Sequence, residues 1–297
     1  MNPTIFRPML AAPTPSDLTK LPWPMLASPK LDGIRGIIQD GKMYSRSLKL
    51  LPSEAAQTIA RQAPRAYNGF EGELISDGSG DTFSIVMTRG STAPLKLHVF
   101  ENTSLALKDA PFSARSASLH AAANLFPYEL IQVVPQTLLF DADELAFYED
   151  LQLQDGREGV MLRHPDSPYK YGRSTARQAW MVKVVRFTTA EARITGFNPI
   201  WENQNVQTTN ALGLSERSHY QEGKVSLNTL GSIDVEDLKN GWRFSIGTGF
   251  TEGMRKHIWD YRSLYQNQIL TYKSKEFGQK ILPRQPVFVR FRHKMDM

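Results

Sequence analysis

The stretch SPKLDGIRGIIQDGKMYSRS, residues 28–47, sets a lysine, an aspartate, a glycine and an arginine within six positions and adds a second arginine at Arg46. A lysine is a nucleophile only as its neutral amine, so its ordinary pKa near ~10.4 has to fall through desolvation or neighbouring positive charge. Pro29 and Leu31 restrict the surroundings of Lys30, and Arg35 supplies charge. Asp32 can orient the amine or hold a metal-bound water, and Gly33 lets a phosphate or sugar approach the backbone. The order fits covalent phosphoryl transfer. Taken alone, it fits equally a surface turn in which Lys30 pairs with Asp32.

Three further stretches carry groups suited to a nucleotide. FEGELI places Glu71 and Glu73 on one face of a strand, and REGVML sets Glu158 at the start of another. Two glutamates on neighbouring strands could hold Mg²⁺, a hard ion that prefers carboxylate oxygen; otherwise they are solvated edge residues. Lys183, alone in the apolar run WMVKVVRF, must reach an anion or snorkel to solvent. Phe100 in LHVFEN either stacks on a purine or packs in the core. The chain has no cysteine, which excludes disulfides and Cys-based zinc sites, and its six histidines show no HExxH-like spacing.

The elements that must position these groups are readable from periodicity and punctuation. Apolar runs around Asp40-Gly41 predict a hairpin. Helices are expected at SEAAQTIARQAP with Ser53 as cap, at DTFSIVMTRG with Asp81, at SARSASLHAAANLF with Ser113, and at DADELAFYEDLQLQDG with an Asp141/Glu144 capping box. FEGELIS, LKLHVF, EGVMLRH and AWMVKVVRF read as strands, and IQVVPQTLLF as one strand interrupted by Pro135. After a short linker near 187–190 the chain turns mostly β. Strands are expected at 191–197, 224–235, 241–248, 268–273 and 286–292, with an Asn240-Gly241 turn and one helix capped by Thr251. Five strands and one helix suit a small OB-type barrel, with 202–223 as a long loop.

The 297 residues suffice for two domains, here 1–188 and 189–297. No apolar run spans a bilayer and the N-terminus lacks a signal-peptide core, so a cytoplasmic protein without membrane contact is expected. A net charge of +5 permits a polyanionic partner without requiring one.

In combination and order, these pieces resemble the ATP-dependent DNA ligases of the covalent nucleotidyltransferase superfamily, most of all the short bacteriophage and bacterial type. Lys30-Leu-Asp32-Gly33-Ile-Arg35 matches the KxDGxR motif, Ser45-Arg46 the arginine motif after it, Gly72-Glu73 the third motif, Glu158-Gly159 the fourth and Lys183 the fifth. Phe100 falls where the family places its adenine-stacking aromatic, and TTNALGLSERS and FSIGTGFTEGMRKHIW look like the ligase OB domain. Two positions depart: Val185 stands where the family often has a second lysine, and Glu101 where an aspartate often follows the aromatic.

The resemblance implies an α+β fold: a nucleotidyltransferase (ATP-grasp-like ligase) domain with antiparallel sheets, then a C-terminal OB-fold β-barrel. It implies a monomeric enzyme using ATP and Mg²⁺ (or Mn²⁺) on nicked double-stranded DNA, the OB domain moving about the linker to enclose the duplex. Lys30 is then the AMP-carrying nucleophile. Asp32, Gly33, Arg35, Glu73, Phe100, Glu158 and Lys183 bind the nucleotide, Glu73 and Glu158 also serving the metal. Arg46, Arg163 and Arg173 meet DNA phosphate, and Arg193, Arg217, Lys224, Arg243, Arg255 and Lys256 line the OB surface. An RNA ligase or GTP-using capping enzyme would share the Lys30 motif. A catalytically silent DNA-binding relative is the reading of a different class, to which Val185 lends its support.

Overall fold

The computed structural model describes residues 6–77, 81–210, 215–218, 220–275 and 282–292. Contacts divide the chain between Val185 and Arg186.

The first unit runs β1 (Met25–Pro29), β2 (Ile34–Gln39), β3 (Lys42–Ser45), α1 (Glu54–Gln62), β4 (Phe70–Ser76), α2 (Thr82–Met87), β5 (Leu95–Asn102), α3 (Phe112–Leu125), β6 (Ile131–Val133), β7 (Thr137–Leu139), α4 (Ala142–Gln154), β8 (Val160–Arg163) and β9 (Met181–Val184). Two sheets result, β7-β1-β8-β9 and β3-β2-β4-β5-β6. All pairs are antiparallel except β5 and β6, which run parallel. The β2–β3 hairpin turns at Asp40 and Gly41, both at positive φ (50° and 69°), as a two-residue hairpin turn requires. Ser53, Asp81 and Asp141 cap their helices as the sequence predicts, and Glu144 reaches back to the Phe140 N–H at 2.8 Å.

Two expectations fail here. The α3 helix begins at Phe112 behind Pro111, and the Ser113 N–H is taken by the Pro165 carbonyl at 2.9 Å, so Ser113 is not its cap. The run around Pro135 is two strands rather than one: β6 edges one sheet and β7 the other. Proline offers no N–H to a ladder, so the chain leaves the first sheet there and joins the second.

Each sheet has its own apolar core. Ile38, Met43, Phe70, Leu74, Leu97 and Val99 pack with α1 and α3 residues on one side of the five-stranded sheet. Met25, Ala27, Val160, Leu162, Val182 and Val184 pack with Leu145 of α4 on one side of the four-stranded sheet. Their alternates along the strands, Ser28, Met161 and Lys183 in one sheet and Arg35, Glu71 and Glu73 in the other, occupy the opposite faces.

The second unit runs β10 (Phe187–Asn203), β11 (Gln207–Thr209), β12 (Ser215–Arg217), β13 (Lys224–Asp237), β14 (Arg243–Ile246), α5 (Glu252–Asp260), α6 (Arg262–Tyr265), β15 (Ile269–Lys275) and β16 (Arg284–Phe291). Its main sheet is ordered β14-β13-β10-β15-β16 around Ile194, Leu230, Ile233, Ile246 and Leu270. The ladder does not close into the expected barrel. Among the described residues, one parallel bridge, Thr248 to Val287, ties its edges in an OB-like arrangement. The expected linker at 187–190 is the start of β10, paired with β15. The expected loop at 202–223 contains the small antiparallel pair β11–β12, and residues 211–214 within TTNALGLSERS lie outside the described residues. Thr251 caps α5, and the predicted helix breaks at Tyr261 into α5 and α6.

Candidate active site

Lys30 follows directly on β1 and is laddered to the start of β8. Its N–H donates to the Gly159 carbonyl (2.8 Å), and its carbonyl accepts from the Glu158 N–H (3.2 Å). The Lys30 Nζ pairs with Glu158 Oε2; the lysine side chain is 20% exposed and the glutamate 4%. Two residues 128 positions apart are thus joined through both backbone and side chains. Lys183 stands opposite Met161, which stands opposite Ser28, so it lies two strands from β1 on the same sheet. Its N–H and carbonyl are taken by the Ala12 carbonyl and the Thr14 hydroxyl.

The second sheet brings Arg35, Glu73 and His98 into one row across β2, β4 and β5. Burial pushes the Glu73 carboxyl up to about 7, against the pull of Lys30 and Arg35. Arg35 pairs with buried Glu71 and donates from Nη1 to the Met9 carbonyl at 2.7 Å. Its Nη2 is buried without a hydrogen-bond partner among the described residues. Tyr169 donates to Glu71 at 3.0 Å and accepts the Met9 N–H at 2.8 Å. Burial, then the Glu71 charge, raises the Tyr169 pKa well above its usual value, so it remains a donor.

Phe100 owes its place to a β-bulge. Glu71 pairs with Glu101 while Gly72 pairs with Val99, so Phe100 has no partner across the ladder. Gly72 permits this, because a Cβ there would lie 2.5 Å from the His98 carbonyl oxygen. The Phe100 ring is half-buried, with the Arg35 guanidinium carbon 5.6 Å from its centroid. Gly33 also has a reason the sequence did not give. A Cβ at Gly33 would lie 2.2 Å from the Leu74 carbonyl, so the close approach it allows is to β4. The Asp32-Gly33 link between β1 and β2 joins the two sheets, and the Gly33 N–H bonds the Glu73 carboxylate.

Lys30, Glu158 and Lys183 therefore belong to one sheet, and Arg35, Glu73 and Phe100 to the other. Arg46 is exposed in the turn after β3, and Arg173 is exposed with Nη1 on the Ala11 carbonyl at 2.7 Å. Arg163 does not fit its expected place at DNA phosphate: it ends β8, is 3% exposed, and pairs with Glu101 in the interior. In the second unit, Arg255 holds the carbonyls of Leu230, Gly231 and Gly247, so it is committed to the sheet rather than to a surface. His98, Tyr169 and Arg115 escaped the sequence reading. Alternation in LKLHVF marks His98, whereas nothing local marks the other two.

Glu73 and Glu158 are hard oxygen donors, and a buried carboxyl with a raised pKa is one that a cation would ionise. No group of three or more ligating side chains occurs among the described residues. Two carboxylates meet the need of Mg²⁺, which typically takes one or two and completes its shell with substrate phosphates and water.

Residues 8–184 match the family model described as ATP dependent DNA ligase domain, and residues 222–292 that described as DNA ligase OB-like domain. A probable DNA ligase of Anaeromyxobacter sp. (strain K) is 31% identical over 184 residues, which are 54% of this chain and 34% of that protein. A DNA ligase of Haloferax volcanii is 31% identical over 94 residues, 31% of this chain and 15% of that one. The matched part is thus a minor share of these relatives' length. The solved Chlorella virus DNA ligase-adenylate is 28% identical with a TM-score of 0.56, covering 97% of this chain and 100% of that one. A Lig E DNA ligase, 24% identical over 96% of this chain and 99% of its own, shares the fold with a TM-score of 0.71. No helix among the described residues is long and apolar enough to cross a membrane. With one family match spanning more than half of its length and a second covering most of the remainder, this chain belongs to the ATP-dependent DNA ligase family.

Proposed function

We propose that the protein seals nicks in duplex DNA with ATP through a lysyl–AMP intermediate on Lys30, residues 1–188 acting as adenylation domain and 189–297 as OB-fold domain. The carrying observation is Lys30 itself, mostly enclosed, held by Glu158 and within the field of Glu73. The Lys30 amine attacks the α-phosphorus of ATP, forming a P–N bond as the bond to pyrophosphate breaks. Glu158 holds Nζ in place and is positioned to take the proton the amine loses. AMP then passes from Lys30 to the 5′-phosphate at the nick. The 3′-hydroxyl attacks that phosphate, and AMP leaves.

The remaining residues work by position and charge. Phe100 stacks on adenine, and Asp32 and Gly33 form the loop beside the nucleotide. Arg35 offers its leftover Nη2 to sugar or phosphate, and Lys183 neutralises the α-phosphate. Glu73 and Glu158 would hold Mg²⁺ or Mn²⁺, which supplies positive charge to the phosphates when bound. Arg46 and Arg173, both exposed, meet DNA phosphate, and the protein acts as a monomer.

The test is incubation with Mg²⁺ and α-labelled ATP or GTP, followed by a denaturing gel. Label from ATP alone, lost in Lys30→Ala, is the expected result. Label from GTP would move the chemistry to capping. No label from either, in protein stripped of AMP, would sink the enzyme and leave a DNA-binding relative.

A further inference from the structure

Three buried charges lie behind the site and take no part in these steps. Glu101 and Arg115 are fully buried, and the Arg163 side chain is 3% exposed. Arg115 donates from Nε to Glu101 Oε1 at 2.8 Å and from Nη2 to Oε2 at 3.2 Å. Arg163 Nη2 donates to the same Oε2, and the Asn102 N–H donates to Oε1 at 3.0 Å. The arginines are anchored in turn. Arg115 Nη1 bonds the carbonyls of Ala110 and Ser167, and the Arg163 guanidinium lies 4.6 Å from the Phe112 ring centroid.

The placement of these groups gives them meaning. Glu101 follows the bulged Phe100 on β5, in the sheet of Arg35 and Glu73. Arg163 ends β8, in the sheet of Lys30 and Glu158. Arg115 comes from α3. One carboxylate therefore ties the two halves of the site together. Adhesion alone does not call for this, because apolar residues of similar volume usually hold a core as well as buried ions do. The bidentate Arg115–Glu101 contact fixes the carboxylate in distance and angle, which apolar packing does not, and the single Arg163 bond to Oε2 ties the other sheet to that fixed point.

We infer that the Arg115–Glu101–Arg163 cluster is a positioning device. It sets Phe100 and the Arg35–Glu73 face against Lys30 and Glu158, and so governs ATP binding and adenylyl transfer without touching the nucleotide. The inference rests on the adenylylation reading above. It also assigns Arg163 a role in place of the DNA contact its sequence position suggested.

The experiment compares wild type with the triple variant Glu101→Leu, Arg115→Met, Arg163→Met, reading thermal midpoint, KM for ATP and the rate of lysyl–AMP formation at saturating ATP. The expected result is an unchanged or higher midpoint, a raised KM and a rate lower by up to about a hundredfold, the scale of an ångström-sized misplacement. A folded triple variant that labels like wild type overturns the inference. If the triple variant does not fold, Glu101→Asp decides, since it keeps every charge and shortens one arm. A raised KM at an intact melting transition supports positioning, and wild-type kinetics overturn it. If wild type itself takes no label, the adenylylation reading has failed and the inference falls with it, an outcome distinct from a labelled wild type matched by its variants.

Discussion

Arg115 and Arg243 each pair with a glutamate at nearly the same distance, yet the two pairs live in different media. Arg115 and Glu101 are fully buried at 2.8 Å; Arg243 and Glu236 meet at 3.0 Å with side chains 79% and 40% exposed. The contrast extends to their units. In the first, Glu71, Glu101, Arg115, Glu158 and Arg163 are all buried, whereas among the described residues of the second the buried polar residues are Asp237 and Ser274. A reaction at one phosphorus atom needs groups held at fixed places. A duplex backbone repeats its phosphates and is well served by cations that remain in water. The division of buried from solvated charge follows what the sequence resemblance implies for the two units, nucleotide chemistry in the first and an OB surface lined by cations in the second.

The comparison can be broken at its strong end first. Arg115→Met leaves Glu101 buried with one partner removed and should cost about 3–5 kcal/mol in urea unfolding, as broken buried pairs do. A loss below about 1 kcal/mol would place the pair with surface ion pairs instead.

A second effect concerns Glu73, whose carboxyl is raised from 4.5 to about 7 by burial. The folded protein then holds a proton between those values that the unfolded chain has released. Stability therefore falls as pH rises through that window, by at most about 1.4 kcal/mol per pH unit. Melting midpoints at pH 5 and pH 7.5 without nucleotide should show that fall in wild type, and Glu73→Gln should flatten it. An equal slope in both would mean that another group is responsible.

The smallest effect sharpens the weak end. Arg243→Ala should change stability by no more than about 0.5 kcal/mol, because exposed pairs contribute little. A loss like that of Arg115→Met would remove the distinction between the two units.

Much of this was legible in the sequence because it is local. Asp40-Gly41 turns a hairpin, Ser53, Asp81, Asp141 and Thr251 cap helices, and alternation in FEGELI puts Glu71 and Glu73 on one face. The KxDGxR stretch and Glu158 marked residues that the fold brings together. What stayed hidden depends on partners far along the chain. The bulge at Phe100 exists because Gly72 admits the His98 carbonyl. Arg163 reads as the end of a strand beside a polar loop, and only the arrival of Glu101 and Phe112 makes it interior. Ser113 has the chemistry of a cap, but a distant carbonyl claims its amide. Pro135 signalled an interruption correctly; that the chain changes sheets there depends on β1, more than a hundred residues earlier, being free to pair.

The strand order β7-β1-β8-β9 has a further consequence, in time rather than space. β1 is made early but sits between two strands made late, and the lysine after it acquires its glutamate only when residue 158 exists. Such long-range closure is slow, because loop entropy is lost before contacts form. A nascent or truncated chain ending before β8 carries Lys30 without the ladder and the carboxylate that hold its amine. If Lys30 carries AMP as proposed, that reactivity arrives with completion of the domain, and an unfinished chain lacks the partners that hold the amine.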